Sequence, residues 1–138
     1  MRSLAAVEAE LDAFAVRVDG PQAARRLLAL AEEVLEQWIV VRGEMPTDER
    51  REGFRLLALH RQGARGEPSF NACRETCREI AYHYNLLCLQ SDPELDARRQ
   101  RMMAMLAKHL TLFVGGKMQS ENLGEFCCSS RALRTASS

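Results

Sequence analysis

The sequence predicts an all-α fold, a compact bundle of about five mostly antiparallel helices with a flexible C-terminal tail, on three observations. Apolar residues recur at alternating steps of three and four through most of residues 3–114, the period of a helix with one buried face. Proline, glycine and aspartate clusters interrupt that period at intervals suited to short-looped helices. Strand signals are nearly absent: Ile39-Val40-Val41 is the one β-branched run, and it lies inside a helical pattern.

The first helix is predicted to begin after Ser3, whose hydroxyl suits a cap, with Leu4, Val7, Leu11, Phe14 and Val18 on one stripe. Asp19-Gly20-Pro21 ends it and opens the second, Pro21 standing in the first turn where a missing N–H costs nothing. The second helix runs to about Arg42. Its apolar stripe (Leu27, Leu28, Ala31, Val34, Leu35, Trp38, Ile39 and Val41) is wider than the first, which marks it as the central element. Gly43 supplies the stop.

Met45-Pro46-Thr47-Asp48 reads as a short connection. Thr47 or Asp48 then caps a third helix to about Gln62, with Phe54, Leu56, Leu57 and Ala58 on its apolar face. Gly63, Gly66 and Pro68 break the chain, and Ser69 or Asn71 caps a fourth helix to about Gln90. Ser91-Asp92-Pro93-Glu94 is the clearest start signal: a cap, a proline in the first turn, and an acid facing the helix dipole. The fifth helix carries Leu95, Met102, Met103, Leu106, Leu110 and Phe113 and is predicted to stop at Gly115-Gly116. Residues 1–114 thus read as one helical-bundle domain, and 115–138, rich in glycine and serine, as a flexible tail.

Composition narrows the function. At 46% hydrophobic and 28% charged residues, the 138-residue chain is too apolar for disorder throughout and long enough to bury a core. A formal net charge of zero gives no global field toward nucleic acid or an anionic membrane, so neither is an expected partner. No apolar run approaches the roughly 18 residues of a membrane span, and Glu8, Glu10 and Asp12 interrupt the place where a signal peptide needs its apolar centre. The expected location is therefore cytoplasmic, where thiols stay reduced. Five cysteines, an odd count, then read as free thiols and not as a disulfide framework. The basic residues are 17 arginines against Lys108 and Lys117; coding bias produces such a ratio, but arginine is also the better fork for phosphate and carboxylate.

Reactive side chains concentrate between His60 and Cys88. Cys73 and Cys77, one turn apart, share a helix face at a separation too long for an unstrained disulfide in regular helix but suited to two ligands of one metal ion. His60, across the Gly63–Pro68 turn, is the third candidate ligand, and zinc or iron the alternative cofactor to none at all. The competing account is packing: Cys73, Cys77, Ile80, Tyr84, Leu87 and Cys88 form a continuous helical stripe, and free cysteine is among the most buried residue types. A place near the helix start would lower the thiol pKa and make Cys73 more nucleophilic than Cys88; Arg74 and Arg78 point about 100° away from it.

The turn itself offers Arg61, Arg65 and Ser69 as a candidate anion site, although no phosphate-loop pattern is present. The turn is also too long for a helix-turn-helix. Glu79 and His83 read as an exposed, mutually hydrogen-bonded pair, and the absence of any Glu-x-x-His disfavours a ferritin-like di-iron centre. His109 reads as half-buried packing. No Ser/His/Asp or Cys/His catalytic set can be assembled. Met102, Met103 and Met105 offer either core filling or an adaptable contact surface, and Cys127-Cys128 are adjacent thiols in the tail. The reading that follows is a small non-enzymatic regulatory or adaptor protein acting through a protein partner or self-association. The alternative is a metal-binding or redox-responsive protein centred on Cys73, Cys77 and His60.

Overall fold

The computed structural model describes residues 3–14, 21–89 and 92–121. Five α-helices pack together: α1 (Leu4–Phe14), α2 (Pro21–Val41), α3 (Arg55–Ala64), α4 (Arg74–Leu89) and α5 (Pro93–Ser120). A 3₁₀ segment, Pro68–Cys73, leads into α4, and no strand occurs among the described residues. α5 lies against α1, α2 and α4, and α2 also packs on α3 and α4, so these two helices carry the core between them. The all-α reading holds.

Several local predictions follow the physics assigned to them. The Ser3 hydroxyl accepts from the Ala6 N–H at 3.2 Å, and Leu4, Val7, Leu11 and Phe14 are buried. Gly43, at φ 85°, ends α2 with Gly43 N–H on Val40 O and Glu44 N–H on Ile39 O, the paired bonds of a Schellman stop. Asp92 caps α5 by accepting from the N–H groups of Glu94 and Leu95, with Pro93 behind it. Val18 and the helix beyond Phe14, Gln90, Ser91, Cys127 and Cys128 lie outside the described residues.

Three expectations are corrected. The third helix begins at Arg55, not at Thr47 or Asp48. Arg51 to Phe54 instead form a tight two-residue turn, closed by N–H···O bonds of 2.9 Å in both directions, with positive φ at Glu52 and Gly53. The stretch ahead of it is tied down by side chains of α3: Gln62 donates to Met45 O and accepts from Thr47 N–H, and Arg55 donates to Thr47 O.

Gly63 does not break the chain but lies within α3, where a bare Cα lets the Trp38 indole approach. Its missing side chain is a packing requirement. α5 runs past Gly115-Gly116 to Ser120, because Val114, Gly115 and Met118 are buried and Lys117 pairs with Glu67 and Glu121. Two glycines cost about 1 kcal/mol each in a helix interior, and burial on this scale outweighs that. The stripes also shift at their edges: Val41 and Cys88 are exposed, while Leu30, absent from the predicted stripe, is fully buried.

Candidate functional site

The site rests on a buried aromatic stack. Phe70, in the 3₁₀ segment, lies parallel to Trp38 of α2, with 4.8 Å between ring centroids, and on its other side meets the His60 imidazole of α3 at 5.5 Å. The Trp38 indole N–H donates to Gly63 O at 2.9 Å. His60 Nε2 lies 3.2 Å from Phe70 O and the Cys73 Sγ 3.3 Å from the same oxygen. A carbonyl only accepts, so both are donors, and the contact assigns the imidazole proton to Nε2.

The structure places His60 beside Cys73, and Cys73 beside Cys77, within the core. Cys73 is 2% exposed and Cys77 0%. The Cys77 thiol donates toward Cys73. That bond, helped by His60 and opposed by burial, brings the Cys73 pKa down to about 6, while the same bond and burial hold Cys77 well up. Among the described residues, no group of three or more His, Cys, Asp or Glu side chains is placed to hold a metal ion. Phe70 O engages both the His60 ring and the Cys73 thiol, and the cluster lies buried.

Above this cluster lies a cleft of about 450 Å³. Its walls include Arg51 from the tight turn, Arg61 and Arg65 at the end of α3, and Arg74 and Arg78 at the start of α4, with His60 and Asn71 between them. Among the described residues, Arg78 is the one of the five guanidiniums that is neutralised, by Glu52 at 2.9 Å. Among the described residues, Arg51, Arg61, Arg65 and Arg74 make no side-chain hydrogen bond or ion pair. Four exposed, unpaired cations sharing one concavity repel one another, and a bound anion would relieve that repulsion.

Of the three predicted anion ligands, Arg61 and Arg65 line this cleft and Ser69 does not. Ser69 donates to Glu67 Oε1 at 2.6 Å and accepts from Lys117 Nζ at 2.7 Å, on the far side of the turn, in a network that lowers the Glu67 pKa to about 2. Arg51, Arg74, Arg78 and Asn71 were not among the predicted ligands. For the two arginines of α4 a signal was present: Arg74 and Arg78, an i, i+4 pair, share one helix face, at the same spacing as Arg61 and Arg65. The same geometry that turns Arg74 and Arg78 away from the thiols turns them toward the cleft.

The remaining candidates divide. Glu79 and His83 do not hydrogen-bond; among the described residues His83 Nδ1 is buried without a partner, and burial lowers its pKa. His109 is exposed, not half-buried. Met103 fills the core, whereas Met102, Met105 and Leu112 are exposed at 39%, 56% and 48%, on one stripe of α5 with His109. No helix among the described residues is long and apolar enough to cross a membrane. No protein-family model, curated protein or solved structure matches the chain.

Proposed function

We propose that the chain is a small cytosolic, non-enzymatic regulatory or adaptor protein that grips an anionic group of a protein partner in the arginine cleft. The observation that carries this reading is the convergence of Arg51, Arg61, Arg65, Arg74 and Arg78 on one cleft with only Arg78 paired. A guanidinium offers a planar fork of donors to a phosphate or carboxylate, and five around one cavity favour a doubly charged ligand over a single carboxylate. The buried His60–Cys73–Cys77 cluster supports the cleft floor: it holds Phe70, and with it the segment that carries Asn71 and leads into Arg74.

Calorimetric titration with inorganic phosphate, at low and at near-physiological ionic strength, tests the reading. The native chain should bind, more weakly as salt screens the cleft, and Arg61→Gln/Arg74→Gln should lose binding at unchanged melting temperature. Equal binding by that variant would place the anion elsewhere, and no binding by the native chain would remove the reading.

A second reading, self-association along α5, is favoured by the exposed Met102–Met105–Leu112 stripe. Sedimentation should then show a concentration-dependent dimer that Met105→Glu abolishes. A native chain that stays monomeric up to millimolar concentration ends this reading.

A further inference from the structure

The arginine cleft does not stand alone. It shares Arg51, Arg61 and Arg65 with a broader cleft of about 950 Å³ that also involves Met45, Pro46, Asp48 and Glu49. On its other side it shares Leu57 and Arg78 with a cleft of about 390 Å³ bounded by Glu52, Phe54, Glu79, Tyr82 and Asn85. Shared walls make the three a continuous groove across the surface of α3, α4 and the connecting turn. Along it carboxylates flank the arginines on both sides. The centre holds five arginines. One flank carries Asp48, Glu49 and Arg50 beside the exposed Met45 and the half-buried Pro46, with Asp48 3.6 Å from Arg55, and the other carries Glu79 and the Arg78-paired Glu52 beside the buried Phe54 and the exposed Tyr82.

We propose that this groove binds an extended peptide of a partner protein, with one phosphorylated side chain in the central cleft and basic or apolar residues on either side of it. This deepens, and rests on, the anion-binding reading above. Two observations decide the ligand class. A phosphate monoester carries close to two negative charges and three strong acceptor oxygens, matching a cluster of guanidiniums around a cavity far larger than one carboxylate needs. The flanks then discriminate among phosphate-bearing ligands. A nucleic acid carries a charge at every nucleotide, so its neighbouring phosphates would fall against Glu49 on one flank and Glu79 on the other, carboxylates without an ion pair among the described residues. A peptide with a single phosphate places one dianion at the centre and leaves the flanks free for lysine, arginine or leucine. The two apolar ends, Met45 with Pro46 and the exposed Tyr82, supply surface for such neighbours to cover.

The test is fluorescence anisotropy with labelled peptides carrying a central phosphoserine, set beside calorimetry with O-phosphoserine. A phosphopeptide flanked by lysine and leucine should bind at least about tenfold more tightly than its unphosphorylated twin, than O-phosphoserine, and than the same phosphopeptide flanked by glutamate. Glu49→Lys/Glu79→Lys, both exposed positions, should invert the flank preference without changing O-phosphoserine binding or the melting temperature. If O-phosphoserine binds and the flanks make no difference, the peptide groove is wrong while the anion site stands. If neither O-phosphoserine nor any phosphopeptide binds, both readings fall. A single-stranded oligonucleotide binding as tightly as the best phosphopeptide would overturn the partner class.

Discussion

Alanine at Gly63 and alanine at Gly116 are chemically the same substitution within two helices, and the structure predicts opposite outcomes. At Gly63 a β-carbon would lie 2.9 Å from Trp38 Cδ1, 3.1 Å from Phe70 Cε2 and 3.2 Å from Trp38 Nε1. Carbon pairs rest at about 3.5–4.0 Å, so the indole would have to retreat by roughly half an ångström. It is poorly placed to do so, being fully buried, stacked on Phe70 and hydrogen-bonded to Gly63 O. Overpacking of this kind costs about 1–3 kcal/mol, and a loosened buried indole N–H adds about 1–3 kcal/mol if it loses its acceptor.

The opposing term is alanine's helix preference over glycine, about 1 kcal/mol. The steric cost wins, leaving a net destabilisation of up to about 2 kcal/mol from overpacking alone and about 1–5 kcal/mol once the indole loses its acceptor. At Gly116 a β-carbon meets nothing within 4 Å, so only the helix term and the reduced freedom of the unfolded chain remain, a gain of about 0.5–1 kcal/mol. Urea unfolding reads both, by circular dichroism as well as by fluorescence of the single Trp38, since the substitution at Gly63 touches the fluorophore. A Gly63→Ala variant as stable as the native chain would refute the indole-on-glycine packing. A destabilised Gly116→Ala would refute the continuation of α5 through that position.

Further outcomes follow from the same contacts. In a Cys127→Ser/Cys128→Ser background a maleimide should label Cys88 quickly and Cys73 and Cys77 only as fast as the core opens; access decides over ionisation, and comparable labelling of Cys73 and Cys88 would contradict the burial seen here. Glu67, held at about 2 against an ordinary 4.5, binds fewer protons folded than unfolded between those values. Its contribution is present above about pH 4.5 and lost as pH falls toward about 2. Glu67→Gln should therefore flatten the decline in melting temperature across that window, and an unchanged decline would mean that other carboxylates set it. Arg55 bonds Thr47 O and pairs with Glu36 and Glu32. Arg55→Leu should accordingly speed hydrogen exchange in residues 45–50 before the core responds, whereas uniform protection in both proteins would show that the Gln62 contacts suffice.

How far the site could be read from the chain depended on whether its parts were local. His60, Cys73 and Cys77 were legible because two lie a helical turn apart and the third lies just across one connection. Their burial was not legible, since it depends on Trp38 and Phe70 arriving from other elements. Half of the anion site was visible as Arg61 and Arg65. Arg74 and Arg78 were noted but considered only for their effect on the thiols, and Ser69 was assigned to the wrong network because its partner Lys117 lies 48 residues away. Arg51 was hidden by a misread helix: Asp48-Glu49-Arg50-Arg51-Glu52 has good helix formers, but positive φ at Glu52 and Gly53 turns the chain back on itself.

The sequence by itself determined the class of fold and the starts and stops that depend on nearby atoms: the Ser3 and Asp92 caps, the Gly43 stop, and the buried stripes of α1 and α2. Those rest on bonds and contacts within about one helical turn, which propensity and periodicity record. Only the tertiary structure decided that α5 continues through two glycines, that Gly63 is a seat for Trp38, and that Arg51, Arg61, Arg65, Arg74 and Arg78 face one another. Each of these outcomes is set by burial or charge between elements distant in sequence. Zero net charge summed along the chain carries no trace of five like charges gathered at one place.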